Sequence, residues 1–249
     1  MQQKLLRPSR WSTGRKNLPA LTEAQRSNTL LAEFAGRISH DLRNPLTSIL
    51  GYVELSQTAA LETPDVAITR YLDVVTGSGQ RMLDMVEDVL AYATIGGDVR
   101  PGRLSLCALV DDVVKDLDAS LEASRASVDC DELSFNADPV QMRVLLQNLI
   151  HNAVAYARPG VPPAIRVTGE RSDEGVVLRV IDNGKGIREP DRKRVLDPLV
   201  RLHRKGDPPG TGLGLATCAR VVAAAGGRPE IGSATGHGTG ITICLGSGS

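Results

Sequence analysis

Two runs of apolar residues in alternating four- and three-residue steps limit what the N-terminal part of this chain can fold into. The first places apolar or small side chains at Leu31, Ala35, Ile38, Leu42, Pro45, Ile49 and Tyr52. The second repeats the rhythm at Ile68, Leu72, Val75, Gly79, Met82, Val86, Val89 and Ala93. A stripe of this period is a helix seam of the bundle type. Thr63 and Pro64 interrupt the pattern between the runs, and Gly96 and Gly97 close it, as glycine does just past a helix C-terminus. Two long helices with a short turn make an antiparallel hairpin. One hairpin offers too little partner surface for both seams, so the spacing predicts a homodimer through residues 21–97, closed as a four-helix bundle.

Past residue 98 the rhythm changes to mixed α and β. Helical periodicity covers 106–123, 140–157 and 213–225, and strand-like alternation covers 164–169, 175–181, 228–232 and 240–245. The expected fold class is α+β: a basic linker or tail at 1–20, the helical hairpin at 21–97, and an α/β domain at 98–249. Between 182 and 214 lies a stretch dense in Gly, Pro and charge. A loop of that length in a compact domain is usually functional.

Composition narrows the function classes. The chain has 249 residues, 41% of them apolar and 23% charged, which excludes wholesale disorder. Aromatics are only 3%, so the core is to be built from Leu, Val, Ile and Ala. No apolar run approaches the ~20 residues of a membrane span, and no hydrophobic block follows the basic start; a cytoplasmic protein is expected. Cys107, Cys130, Cys218 and Cys244 are scattered without a CxxC pair, which disfavours zinc and a disulfide framework. Net charge is zero, yet residues 1–20 carry five basic and no acidic residues, and 21–97 carry five basic and ten acidic. The basic tail reads as a solvated linker, and no nucleic-acid partner is expected.

Several residues have the makings of chemistry. His40 falls at the most outward heptad position, with Asp41 adjacent and Asn44 four residues on, on the same face. A carboxylate beside an exposed imidazole stabilises the charge that develops when the ring acts as a nucleophile. Asn148 and Asn152 also lie four apart on a predicted helix, and their amide oxygens suit a Mg²⁺ otherwise held by phosphates and water. Asp182-Asn183-Gly184-Lys185-Gly186-Ile187 follows a strand, and Gly210-Thr211-Gly212-Leu213-Gly214-Leu215 opens a helix, where backbone N–H groups attract phosphate. Gly236-His237-Gly238-Thr239-Gly240 precedes the last strand. Each motif alone is ordinary, since glycine turns are common.

Together, in this order, they resemble the sensor histidine kinases of bacterial two-component systems, over about residues 21–246. HDLRNP at 40–45 is similar to the phosphoacceptor box and NLIHNAVAY at 148–156 to the asparagine box. DNGKGI at 182–187, GTGLGL at 210–215 and GHGTG at 236–240 are similar to the three glycine boxes of a kinase-type ATP site. The resemblance implies a sandwich of mixed sheet and helices of the Bergerat type that binds ATP and Mg²⁺. It implies that His40 accepts the γ-phosphoryl group and passes it to an Asp of a response-regulator receiver domain. Asp41 is then the general base, and Asn44 positions water for dephosphorylating the regulator. Asn148 and Asn152 become Mg²⁺ positions, and Asp182 the reader of the adenine amino group. Nucleotide contacts are implied for Tyr156, Gly184, Gly186, Ile187, Arg201, Gly210, Thr211, Gly212, Leu213, Gly214, Leu215 and Thr239, with a mobile lid between the glycine boxes. An upstream sensor is implied but not identified.

The chain departs from the family pattern at three positions. Ala155 stands where a Lys or Arg often follows the second box asparagine, and Leu196 and Leu199 replace the lid phenylalanines. Across 185–210 eight basic residues face four acidic ones, a partial compensation. His151 and His237 decorate their motifs, and His203 is a candidate phosphate neighbour. The alternative to a kinase is a dimeric phosphotransfer or scaffold protein with a weakened ATP site. Another ATPase of the same fold has no use for an outward His-Asp pair.

Overall fold

The computed structural model describes residues 42–56, 66–95, 100–173, 175–202, 207–208, 210–234 and 237–246. His40, Asp41 and His203 lie outside the described residues, as does the tail at 1–20.

Residues 42–56 form helix α1 and Val66–Thr94 form α2. Their facing sides meet at Tyr52 and Tyr71, whose ring centroids are 5.7 Å apart. An apolar stripe remains on the outside: Leu46, Leu50 and Val53 on α1, and Leu72, Leu83, Val86 and Leu90 on α2; the heptad reading includes Leu72 and Val86 of these and omits the other five. Leu50 and Leu83 are each 58% exposed, far more than an interior leucine retains.

The α/β domain begins with β1 (Gly102–Ser105), α3 (Leu106–Asp116), α4 (Asp118–Ser124), β2 (Ser127–Cys130) and β3 (Ser134–Ala137). Helix α5 (Pro139–Ala155) follows, then β4 (Ala164–Ser172), β5 (Gly175–Asp182), α6 (Gly214–Ala224), β6 (Arg228–Ser233) and β7 (Thr239–Gly246). The main sheet runs β2-β4-β5-β7-β6, with β2 parallel to β4 and the other pairs antiparallel. Strands β1 and β3 form a separate antiparallel ribbon.

Alternation puts Ile165 and Val167, Leu178 and Val180, and Ile241, Ile243 and Leu245 into one core. Helices α3, α5 and α6 cover it with Val110 and Val113, Leu145, Leu146, Leu149 and Ile150, and Val221 and Val222. Helix α5 starts where expected because Asp138 caps it, accepting the Gln141 N–H at 3.0 Å, and Pro139 occupies the first turn.

Two expectations are corrected, and three strands are added. The helix predicted over 106–123 breaks at Leu117 into α3 and α4, and Leu121 of α4 joins the same core. Strands β1, β2 and β3 are each four residues long, too short to show a period. The cysteines are not all separate: Cys107 and Cys130 form a disulfide, their Cα atoms 5.6 Å apart. Strand β2 thus lies beside the start of α3, a proximity invisible in spacing across 23 residues.

Candidate functional site

A pocket opens between α5, the C-terminal end of β5, the N-terminus of α6 and the segment following Ile187. Asn148, Asn152 and Tyr156 reach it from α5, one helix face as the spacing predicts. The Asn148 amide donates its N–H to Val144 O at 2.9 Å. Its Oδ1 lies against α6, where a Cβ on Gly214 would stand only 2.6 Å away. Two neutral side-chain amides beside a bare helix start, Asn148 by its Oδ1 and Asn152 by its Nδ2, suit a hard cation that keeps most of its water and phosphate ligands once the Asn152 amide presents its oxygen.

Asp182 ends β5 and anchors the opposite wall. Its Oδ1 accepts the backbone N–H of Gly184 at 2.7 Å and of Thr239 at 3.1 Å. Burial pushes its pKa up, opposed by these bonds and by the Thr239 hydroxyl. Gly238 closes this corner with φ at 112°, and a Cβ there would fall 1.8 Å from Asp182 O. No side chain fits, a constraint that the motif shows only as one more glycine.

Thr211 sits at the turn into α6, and the Leu213 N–H donates to its Oγ1 at 3.2 Å. No side chain caps α6, and its first turn holds no acid, so its N–H groups carry their partial positive charge into the pocket. Gly186, Ile187, Arg201, Gly210, Gly212, Leu215 and Thr239 line the pocket. Gly184 and Leu213 do not. Gly184 is buried beneath Asp182, and Leu213 is fully buried in the protein interior; the backbone N–H groups of the two bond to Asp182 and Thr211.

The long stretch between the glycine boxes is more ordered than a plain loop. It contains one-turn 3₁₀ helices at Glu189–Asp191 and Arg194–Leu196, and Val195 is buried. Leu199 holds a left-handed backbone, φ 64°, and donates its N–H to Gly212 O at 3.0 Å. Much of the local positive charge is engaged within the protein: Lys185 pairs with Asp207, Arg188 and Arg194 with Asp191, and Arg201 donates to Pro208 O. Ala155 lines the pocket and Lys185 also reaches it, so a cation is present, supplied by the first glycine box.

Helix α2 also borders the pocket, through Asp88, which sequence reasoning missed. Thr211 Oγ1 donates to Asp88 Oδ2 at 2.5 Å across 123 residues of chain. Burial raises the Asp88 pKa, opposed by the Thr211 bond and by the charge of His151. Farther along, the Arg220 guanidinium of α6 donates to Tyr92 O at 2.6 Å and Ile95 O at 2.8 Å and stacks on the Tyr92 ring. Asn44 is exposed on α1, as its heptad position predicts.

Comparison with known proteins matches residues 30–98 to the His Kinase A (phospho-acceptor) domain. Residues 137–248 match the histidine kinase-, DNA gyrase B- and HSP90-like ATPase domain. The chain is 30% identical over 219 residues to the phytochrome-like protein Cph1 of Synechocystis, covering 86% of this chain and 29% of that protein. It is 30% identical over 234 residues to the sensor histidine kinase WalK of Bacillus subtilis, covering 90% of this chain and 38% of WalK. The chain therefore spans only about a third of these relatives. Its fold is similar to that of the histidine kinase ThkA in complex with the response regulator protein TrrA, with TM-score 0.71 and 20% identity, covering 95% of this chain and 68% of ThkA. Among the described residues no helix is long and apolar enough to cross a membrane.

Proposed function

The chain belongs to the two-component sensor histidine kinases, and on that premise we propose that it phosphorylates its own His40 from ATP and passes the group to a response-regulator aspartate. One observation carries this reading: Asn148 and Asn152, the Asp182 carboxylate and the uncapped start of α6 converge on a single pocket. Asp182 accepts the adenine amino group, a polar reading that rejects bases without that donor. The N–H groups of the Gly210–Gly214 turn receive phosphate oxygens. Asn148 and Asn152 would hold Mg²⁺, which when bound offsets the charge of the phosphates.

In the transfer, a His40 nitrogen forms a bond to the γ-phosphorus while the bond to the ADP oxygen breaks, and Asp41 stabilises the ring as it becomes positive. The phosphoryl group then moves to a carboxylate oxygen of the receiver domain. Asn44, exposed four residues from His40, orients water against the regulator's acyl phosphate in the reverse sense, as a phosphatase. The outer stripes that include Leu50 and Leu83 support a homodimer through residues 21–97, with the ATP-binding domain at 98–249. Incubation with ATP and Mg²⁺ should yield acid-labile phosphate on His40. His40→Gln should abolish it while leaving ATP affinity unchanged. ATP binding without any histidine phosphate in the wild type would instead favour the scaffold reading.

A further inference from the structure

We propose that Asp88 of α2 is a determinant of nucleotide affinity that competes with the phosphates of ATP for Thr211, so that this docked arrangement is a low-affinity state. The inference rests on the reading of the pocket as an ATP site with its phosphate end at Gly210–Gly214.

Thr211 has one hydroxyl proton, and it is directed to Asp88 Oδ2 at 2.5 Å. A lone pair of the same oxygen accepts the Leu213 N–H. Both hydrogen-bonding directions of the side chain are therefore in use before any nucleotide arrives. The partner is a carboxylate brought in from the hairpin, and it lines the same pocket as Asn148, Asn152 and Gly214. A phosphate chain entering there meets a like charge in a partly buried setting, where repulsion is poorly screened. Binding must either bear that repulsion or displace Asp88.

The groups facing Asp88 fit this arrangement. On its own helix, Asp84 and Glu87 add negative charge, and from α5 the only titratable group acting on it is His151. The carboxylate is thus held chiefly by the Thr211 hydroxyl, one bond that nucleotide can replace. Ligand and helix are then reciprocally coupled: whatever draws α2 away tightens ATP, and ATP loosens α2.

The test compares ATP affinity, by calorimetric titration with Mg²⁺, for the full chain, Asp88→Asn and Asp182→Asn. Asparagine keeps the shape of Asp88 and removes its charge. Asp88→Asn should bind ATP at least about fivefold tighter than the wild type, the lower end of ordinary coupling between sites. Asp182→Asn should bind it more weakly. Unchanged or weaker binding in Asp88→Asn, with the expected loss in Asp182→Asn, overturns the proposal and leaves the pocket reading in place. No change in either variant overturns both. A second measurement needs no variant: hydrogen exchange in residues 84–95 of the wild type should quicken on addition of the non-hydrolysable analogue AMP-PNP with Mg²⁺. Unchanged or slower exchange there overturns the proposal.

Discussion

Asp182 and Thr239 meet across 57 residues of sequence, the Thr239 N–H donating at 3.1 Å to the carboxylate oxygen that also accepts Gly184. Two backbone donors on Oδ1 fix the plane of the carboxylate and leave its other oxygen for the adenine amine in the nucleotide pose proposed above. Asp182→Asn should keep Oδ1 on the same backbone donors and leave its NH₂ where an acceptor is needed. ATP affinity should fall roughly 10- to 100-fold, the worth of a bond to a charged group, as read by calorimetric titration.

The same variant should be more stable than the wild type without nucleotide at neutral pH. Burial raises the folded pKa of Asp182, so its contribution is most favourable below the unfolded value of about 3.9. It is lost as pH rises through the raised folded value. Asparagine has no such dependence. Urea midpoints should therefore separate above that window and converge below it.

Gly214 and Asn148 should behave as a coupled pair. Gly214→Ala puts a methyl group 2.6 Å from Asn148 Oδ1, so the amide must turn away. Stability should fall by about 1–3 kcal/mol, the ordinary cost of overpacking, and Mg²⁺-dependent ATP binding with it. Adding Asn148→Ala removes the obstruction. The double variant should recover most of the stability but not the binding, and denaturation midpoints of the four proteins give the coupling energy.

The cysteines predict a chemical pattern. Cys218 is buried, and burial pushes its thiol pKa up to about 12, so it should resist thiol reagents in the native protein. Cys244 is exposed and should react alone before reduction. Reduction of Cys107–Cys130 should release two more thiols. It should also lower stability by about 3 kcal/mol, the loop-closure value for a bridge of this span, measured as a drop in denaturant midpoint with and without dithiothreitol.

Asp41 and Asn44 should separate by activity. Asp41→Asn should slow autophosphorylation by about 10²–10⁴-fold, the value of a positioned base, with ATP affinity unchanged. Asn44→Ala should spare autophosphorylation and reduce dephosphorylation of the regulator. Loss of the same activity in both, assayed with radiolabelled phosphate, would remove the division of labour.

The sequence carried the site because its parts are local. Asn148 and Asn152 share a face by helix geometry alone, and the turn Gly210–Gly214 and its helix are continuous in the chain. What stayed hidden depends on distant segments meeting. Asp88 is one acid among ten in an acidic hairpin, and only the docking of α2 onto α6 gives it a partner. The β1–β3 ribbon is too short for alternation to register, and Cys107 finds Cys130 only because Leu117 breaks a pattern that reads as one helix. Gly184 and Leu213 show the converse limit: a motif letter marks a position in the fold, and the side chain there need not meet the ligand.

The hold of Arg220 on the end of α2 also bears on how far the chain beyond it could reach. The last turn of α2 has no basic residue of its own, and its carbonyls at Tyr92 and Ile95 are satisfied by a guanidinium from α6. Were α6 to separate from α2, those carbonyls would lose their donor, and water would be the ready substitute as the turn unwound. A helical residue advances the chain by ~1.5 Å and an extended one by up to ~3.6 Å. Every residue released from the end of α2 therefore adds about 2 Å of reach, and freedom to move arrives together with the slack needed to use it.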